Sequence, residues 1–133
     1  MNLEEAKLVC EFFLNERKAY DEAEAVLKEA GLGPTVLRMN EAGAVHIFVD
    51  ESRHADAEKL LREKNIEAKA KTVLLLKIKN VPGTMASASK KIGDAGINLK
   101  YAFGIPMKDT DYSLILMDTG DNEKAATLFP KIE

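Results

Sequence analysis

The sequence has little of what marks several large protein classes. Its 133 residues contain no tryptophan and one cysteine, Cys10, so an internal disulfide and a CxxC metal motif are excluded. Lysine and arginine total 19 against 22 acidic residues, and this net charge of -3 argues against nucleic acid as a partner. The longest apolar runs, such as Val73–Leu76, have four residues, whereas a membrane helix needs about 18.

What remains is the composition of a folded domain. Hydrophobic residues make up 46% of the chain and charged residues 31%. The acidic start, Met1–Glu5, differs from a signal peptide. We therefore expect a cytoplasmic protein that has no membrane partner.

An internal repeat organises the sequence. Glu29–Leu32 recurs as Asp94–Ile97, and the glycines of the two segments, Gly31 and Gly96, are expected to end helices in the left-handed conformation. Backward from there the matching positions have helical spacing, which predicts the same buried helix face in both copies. The matched positions are Tyr20 with Met85, Ala23 with Ala88, and Leu27 with Ile92.

Each copy has the order strand, helix, strand, strand, helix, strand. This order predicts an α+β fold of two ferredoxin-like βαββαβ units in tandem, with antiparallel sheets and helices on one face. The units are predicted at residues 1–71 and 72–133. Strands are predicted at 7–14, 34–39, 44–50, 66–71, 72–79, 97–105 and 112–118, and the pair 66–71 and 72–79 is either one long strand or two strands with a bend. Helices are predicted at 18–30, 54–64, 84–95 and 121–129.

Turn and cap signals set several boundaries. Asn40–Gly43 is predicted to be a hairpin turn, and Ser52 and Asp121 are predicted to cap helices. The second copy carries three extra residues, which fall in the polar stretch 108–111. Its final strand is nearly absent, since only 131–133 remain.

The most informative segment runs from Asn80 to Met85, between a strand and a helix. Pro82 fixes the turn, and Gly83 lets another group approach the backbone closely. The N–H groups at the helix start then favour an anion. A strand-to-helix turn that contains Pro-Gly is, however, usually only a turn.

A second polar feature is Asn98, which opens the next strand directly after the helix cap. The amides of Asn80 and Asn98 each offer a donor and an acceptor, which suits a zwitterion with ammonium and carboxylate groups. The alternative is that each asparagine caps its own turn.

Together these residues resemble an ACT domain. The resemblance is carried by Val73–Gly83, by Asp94–Leu99 and by Lys100–Phe103, and the whole chain is similar to stand-alone tandem ACT proteins. It implies a regulatory module without catalytic activity or cofactor, which binds an amino acid at an interface between two units. The contacts that it implies are Asn80, Val81, Pro82, Gly83, Thr84, Met85 and Asn98.

The first copy departs from this pattern. Arg17 and Lys18 stand where the second copy has Pro82 and Gly83, and Gly33 replaces Asn98. A side chain at position 18 would crowd a ligand. We therefore predict a degenerate ACT-like unit at 1–71 and one competent site per chain, built mainly from 72–133.

Histidine, cysteine and aromatic residues elsewhere in the sequence do not predict a further site. His46, Asp50 and His54 have a ligand-like spacing, but a strand followed by a helix keeps them apart, so no metal site is expected. Cys10 lies in an apolar strand, which favours a buried structural thiol. Tyr101, Phe103 and Met85 either line the ligand pocket or, more simply, pack in the core.

Two classes of function remain. The first is the amino-acid-binding regulator, a homodimer that could act on an enzyme of amino-acid metabolism. The second is a protein-interaction or regulatory subunit with no ligand, joined through its sheet edges or through the face that carries Val73 and Leu75.

Overall fold

The computed structural model describes residues 3–39, 44–105, 107 and 109–132, without the side chains of 37–39, 44 and 103. The predicted turn at 40–43 therefore lies outside the described residues, as does position 108 of the predicted insertion. The strands are β1 (Glu4–Leu14), β2 (Thr35–Met39), β3 (Ala44–Asp50), β4 (Ala68–Lys79), β5 (Leu99–Ile105) and β6 (Tyr112–Thr119). The helices are α1 (Arg17–Glu29), α2 (His54–Glu63), α3 (Thr84–Asp94) and α4 (Asn122–Thr127).

The chain forms two compact α+β units. Val9–Thr72 is called the N-terminal unit, and Met1–Leu8 together with Val73–Glu133 is called the C-terminal unit. The division predicted after residue 71 lies beside the observed boundary at 72. Residues 1–8, which the sequence assigned to the first unit, group instead with the second.

In the N-terminal unit the strand order is β2-β3-β1-β4. β3 pairs antiparallel with both β1 and β2. Of the positions that the repeat matched in α1, Ala23 and Leu27 are buried as predicted, whereas Tyr20 is half-buried. In α2 the buried residues are Ala57 and Leu61. The core consists of Cys10, Phe12, Ala23, Leu27, Ile47, Val49, Ala57, Leu61 and Ile66.

In the C-terminal unit the strand order is β1-β4-β6-β5, and β6 pairs antiparallel with β4 and β5. The start of β1 stands where a fourth strand is expected. Ala6 N–H donates to the Pro130 carbonyl at 2.9 Å, and Ile132 N–H donates to the Ala6 carbonyl at 3.1 Å. Its core contains Ala6, Leu74, Leu76, Ile78, Ala88, Ile92, Ile97, Ile115, Met117, Ala125 and Phe129.

Some local predictions are confirmed and others are wrong. Gly31 and Gly96 have φ of 74° and 77°, as left-handed caps require, and the Asp121 carboxylate accepts from Lys124 N–H at 3.0 Å. Ser52 does not cap α2, because it lies within a 3₁₀ turn, Glu51–Arg53, and α2 begins only at His54. The strands predicted at 66–71 and 72–79 are one strand, β4.

The two apolar residues on the face of β4 that carries lysines are buried within the single chain. Val73 is 0% and Leu75 6% exposed, so neither offers an open docking surface. Among the described residues, no helix combines the length and apolar character that a membrane crossing needs.

Candidate functional site

The loop between β4 and α3 turns at Gly83. This residue has φ 89° and ψ -9°, a left-handed conformation that residues with a side chain adopt at a cost. A Cβ atom built on Gly83 would meet no other atom within 4 Å, and Gly83 itself is exposed. The corner is therefore open to a group from outside.

Thr84 holds the loop in this shape. Its side chain is buried, and its hydroxyl lies 2.8 Å from the Lys79 carbonyl and 3.1 Å from the Val81 carbonyl. The Val81 N–H also donates to Lys79 at 2.8 Å. Thr84 thus uses its hydroxyl to brace the loop, whereas Val81 and Pro82 remain exposed.

Backbone donors converge at this corner. Among the turn and cap hydrogen bonds of the described residues, none is donated by the amides of Gly83, Met85 or Ala86. These amides begin α3, where unused N–H groups and the helix dipole favour a carboxylate. The Met85 side chain is half-buried and packs on the core.

Asn80 stands at the end of β4 and is exposed. Its N–H donates to the Asp111 carbonyl at 2.8 Å, and its Oδ1 accepts from the Ser113 hydroxyl at 2.5 Å. The side-chain NH₂ group is then the part of the amide that can still donate to a ligand. Ser113 was not predicted, because only the register of β4 on β6 brings it beside Asn80.

Asn98 lies at the other end of the same sheet. Its carbonyl accepts from Gly120 N–H at 2.8 Å, and the neighbouring Leu99 pairs with Thr119, while Lys79 pairs with Tyr112. Thr119 lies seven residue steps beyond Tyr112 along β6, so the two pairs are about 23 Å apart. One copy of the chain therefore does not bring Asn80 and Asn98 together.

The corresponding loop of the N-terminal unit is built differently. Glu16 precedes α1 with φ -119°, an extended conformation, and no left-handed glycine is present. The Tyr20 hydroxyl accepts from Leu14 N–H at 3.1 Å, so an aromatic side chain fills this loop. Arg17 and Lys18 are exposed.

Cys10 is buried, as predicted. Burial, followed by the nearby Glu51 and Glu58 carboxylates, raises the pKa of its thiol to about 12. The thiol is therefore protonated at neutral pH and is a poor nucleophile.

Comparison of the sequence with family models and with curated proteins gives no match. Solved structures are similar in fold. A protein from Bacteroides thetaiotaomicron superposes with a TM-score of 0.63 at 15% identity, covering 95% of this chain and 86% of the other. The regulatory subunit of aspartate kinase from Thermus thermophilus gives 0.56 at 11% identity, covering 95% and 94%.

The same fold occurs inside a longer enzyme. Aspartate kinase from Clostridium acetobutylicum superposes with a TM-score of 0.57 at 11% identity, over 95% of this chain but 32% of the enzyme. At such identities the likeness concerns the fold alone. The chain thus shares its α+β fold of ferredoxin-like units with the regulatory subunit of one aspartate kinase and with about a third of the length of another.

Proposed function

We propose that this chain is a regulatory module that binds an amino acid at the Gly83 corner of its C-terminal unit. The observation that carries the proposal is the open left-handed corner with its unused amides at the start of α3. These amides suit the carboxylate of an amino acid, and the Asn80 side chain lies on the same loop. The resemblance to ACT domains supports the same choice of ligand.

A second copy of the chain would complete the site. β5 is the last strand of the C-terminal sheet, and its Leu99 and Tyr101 side chains are 44% and 38% exposed. If β5 pairs antiparallel with β5 of another copy, centred on Ala102, the partner's Asn98 arrives at the sheet end where β4 finishes. Three strand spacings, about 14 Å, would then separate Asn80 from that strand. The loop, the ligand and the Asn98 side chain together can span this distance.

The partner that we propose for this module is an enzyme of amino-acid metabolism. The similar folds include regulatory subunits of aspartate kinase, which supports an enzyme of amino-acid metabolism as the target. An amino acid that binds one association state better than another shifts the population toward that state, and the bound enzyme would sense the shift.

Complementation between two variants tests the shared site. Gly83→Asp puts a carboxylate where the ligand's carboxylate would bind, and Asn98→Ala removes the partner's amide. We expect wild-type protein to bind one of the twenty amino acids in calorimetry and each variant to lose that binding. Co-refolded in equal amounts, the two variants should regain about a quarter of the wild-type sites, because only the mixed dimer holds one intact site.

Circular dichroism must first show that both variants fold. No heat and no thermal shift for wild-type protein with any of the twenty amino acids at millimolar concentration would refute the proposed function. Binding by wild-type protein without recovery in the mixture would refute the shared site, since it would mean that one copy binds the ligand alone.

A further inference from the structure

Three side chains with metal-binding atoms meet in the N-terminal unit. Cys10 lies on β1, Glu51 lies in the 3₁₀ turn after β3, and His54 is the first residue of α2. One donor atom from each lies within 4.8 Å of the other two. The register of β1 on β3 explains this, because Cys10 pairs with Val49 and the chain then turns over it at Glu51.

This trio differs from the ligand-like spacing of His46, Asp50 and His54 in the sequence, from which no metal site was expected. His46 lies on β3 with its Nδ1 2.8 Å from Oε2 of the buried Glu11, and these two form a separate pair. Of the two histidines in the chain, His54 alone belongs to the cluster with Cys10. His46 is therefore a natural control for it.

We propose that Cys10, Glu51 and His54 bind a divalent transition-metal ion of the zinc class. Thiolate, imidazole and carboxylate are the donors that zinc takes in proteins, and the thiolate disfavours magnesium and calcium. Donor atoms on a tetrahedral zinc ion lie about 3.5 Å apart, so separations up to 4.8 Å need only small side-chain movements. A bound cation would replace the proton of the Cys10 thiol.

The surroundings of the cluster resemble the supporting contacts of metal sites. The Thr72 hydroxyl donates to Oε2 of Glu51 at 3.1 Å. His54 Nε2 is buried without a hydrogen-bond partner among the described residues and lies 2.9 Å from Oε2 of Glu58, one helical turn further on. The edge of the Phe12 ring packs against the imidazole, with ring centres 6.2 Å apart. The hydrogen bond from Thr72 is of the kind that orients a ligating carboxylate.

The three residues differ in burial. Cys10 is fully buried, whereas Glu51 and His54 are half-buried, so two of the three proposed ligands lie near the protein surface. Three protein donors leave one tetrahedral position for water or another ligand. Because the ion would join β1 to the start of α2, its binding would stabilise the folded N-terminal unit.

Cobalt(II) is the probe that tests the proposal, because a cysteine ligand gives a thiolate-to-metal charge-transfer band. The full-length chain is reduced, stripped of metal and titrated. We expect one equivalent of Co²⁺ to produce the band and Zn²⁺ to displace it. Cys10→Ser should abolish the band, and His54→Gln should weaken Co²⁺ affinity at least about tenfold. His46→Gln should bind as wild type does.

The Thr72→Val variant separates a built site from an accidental cluster. It leaves the three donors in place and removes the hydroxyl that orients Glu51, so its Co²⁺ affinity should fall by about tenfold. Absence of the band in folded wild-type protein would overturn the proposal. An unchanged Co²⁺ affinity in His54→Gln would overturn it too, as would an equal loss of Co²⁺ affinity in His46→Gln and His54→Gln. The two histidine variants test the proposal even if Cys10→Ser does not fold.

Discussion

Gly83 shows how one residue can shape a site without contributing a side chain. Its φ of 89° turns the chain from β4 into α3, and no atom of the protein lies where a Cβ would be. The conformation of the backbone, rather than lack of space, therefore makes glycine the suitable residue here. The two effects can be separated experimentally, because they predict different outcomes for alanine.

We predict that Gly83→Ala destabilises the protein by about 1 kcal/mol, since a side chain in the left-handed region costs roughly 1–2 kcal/mol. The matched control is Gly93→Ala. Gly93 lies within α3, is not among the positive-φ glycines, and also has no atom within 4 Å of a built Cβ. That variant should be more stable than wild type by about 0.5 kcal/mol.

Urea unfolding of the two variants measures both effects. An unchanged or increased stability for Gly83→Ala would mean that the corner is not left-handed in solution. The proposed site would then lose the geometry on which it depends.

Residue types alone could predict part of the site but not its assembly. Pro82 and Gly83 marked the turn, and the amide type of Asn80 and Asn98 suggested their chemistry. The 23 Å separation could not be predicted, because it depends on how β4 and β5 register on β6. The same holds for the cluster of Cys10, Glu51 and His54, which a strand pairing assembles from distant positions.

Among the elements, the helices were the most predictable. Their apolar positions recur with helical spacing, and glycine ends α1 and α3, so the predicted bounds of these two helices differ from the observed ones by at most one residue. The predicted end of α4 at 129 lies two residues beyond Thr127. The start of β1 was missed, because Glu4 and Glu5 read as a polar terminus. Glu4 is in fact 7% exposed, with Oε2 3.0 Å from Lys91 Nζ, a contact that only the folded chain makes.

The start of β1 gives a prediction about the C-terminal unit. Ala6→Pro removes the N–H that donates to the Pro130 carbonyl and puts a ring where Ala6 is 2% exposed. We expect a loss of about 1–3 kcal/mol in stability. Hydrogen exchange at the Ile132 amide, which donates to Ala6, should accelerate.

Two references keep that experiment specific. The Ser87 amide, which donates to the Gly83 carbonyl at the start of α3, is the internal reference. Ala6→Pro should accelerate hydrogen exchange at the Ser87 amide less than at the Ile132 amide. Glu5→Ala changes the neighbouring position without removing a backbone donor and should leave Ile132 protected. Normal protection of Ile132 in Ala6→Pro would show that residues 4–8 do not complete this sheet in solution.

At the scale of the whole molecule, the composition excluded more than it identified. The net charge of -3 and the short apolar runs argued against nucleic acid and membrane, and the repeat argued for two related units. The choice between a ligand sensor and a pure interaction protein depends on whether the association of copies responds to a ligand, which composition does not encode. The exposed edge of β5 makes that association testable.

We predict that Leu99→Glu prevents dimerisation. Leu99 is 44% exposed at the start of β5, and in the proposed antiparallel pair a glutamate there would put a charge into the contact on both copies. The dissociation constant of the dimer should rise at least tenfold, or about 1.4 kcal/mol, which sedimentation velocity can measure. Because the dimer supplies Asn98, amino-acid affinity should fall with it.

Leu3→Glu is the matched control for this change. Leu3 is another exposed leucine of the C-terminal unit, at 51% exposure. Its carbonyl accepts a hydrogen bond from Lys79 N–H, and a change of side chain leaves this carbonyl in place. This variant should dimerise as wild type does, which would assign the effect of Leu99→Glu to β5 and not to a general gain of charge. Equal weakening by both variants, or a Leu99→Glu dimer as tight as wild type, would rule out β5 as the interface. The amino acid would then have to bind without the partner's Asn98.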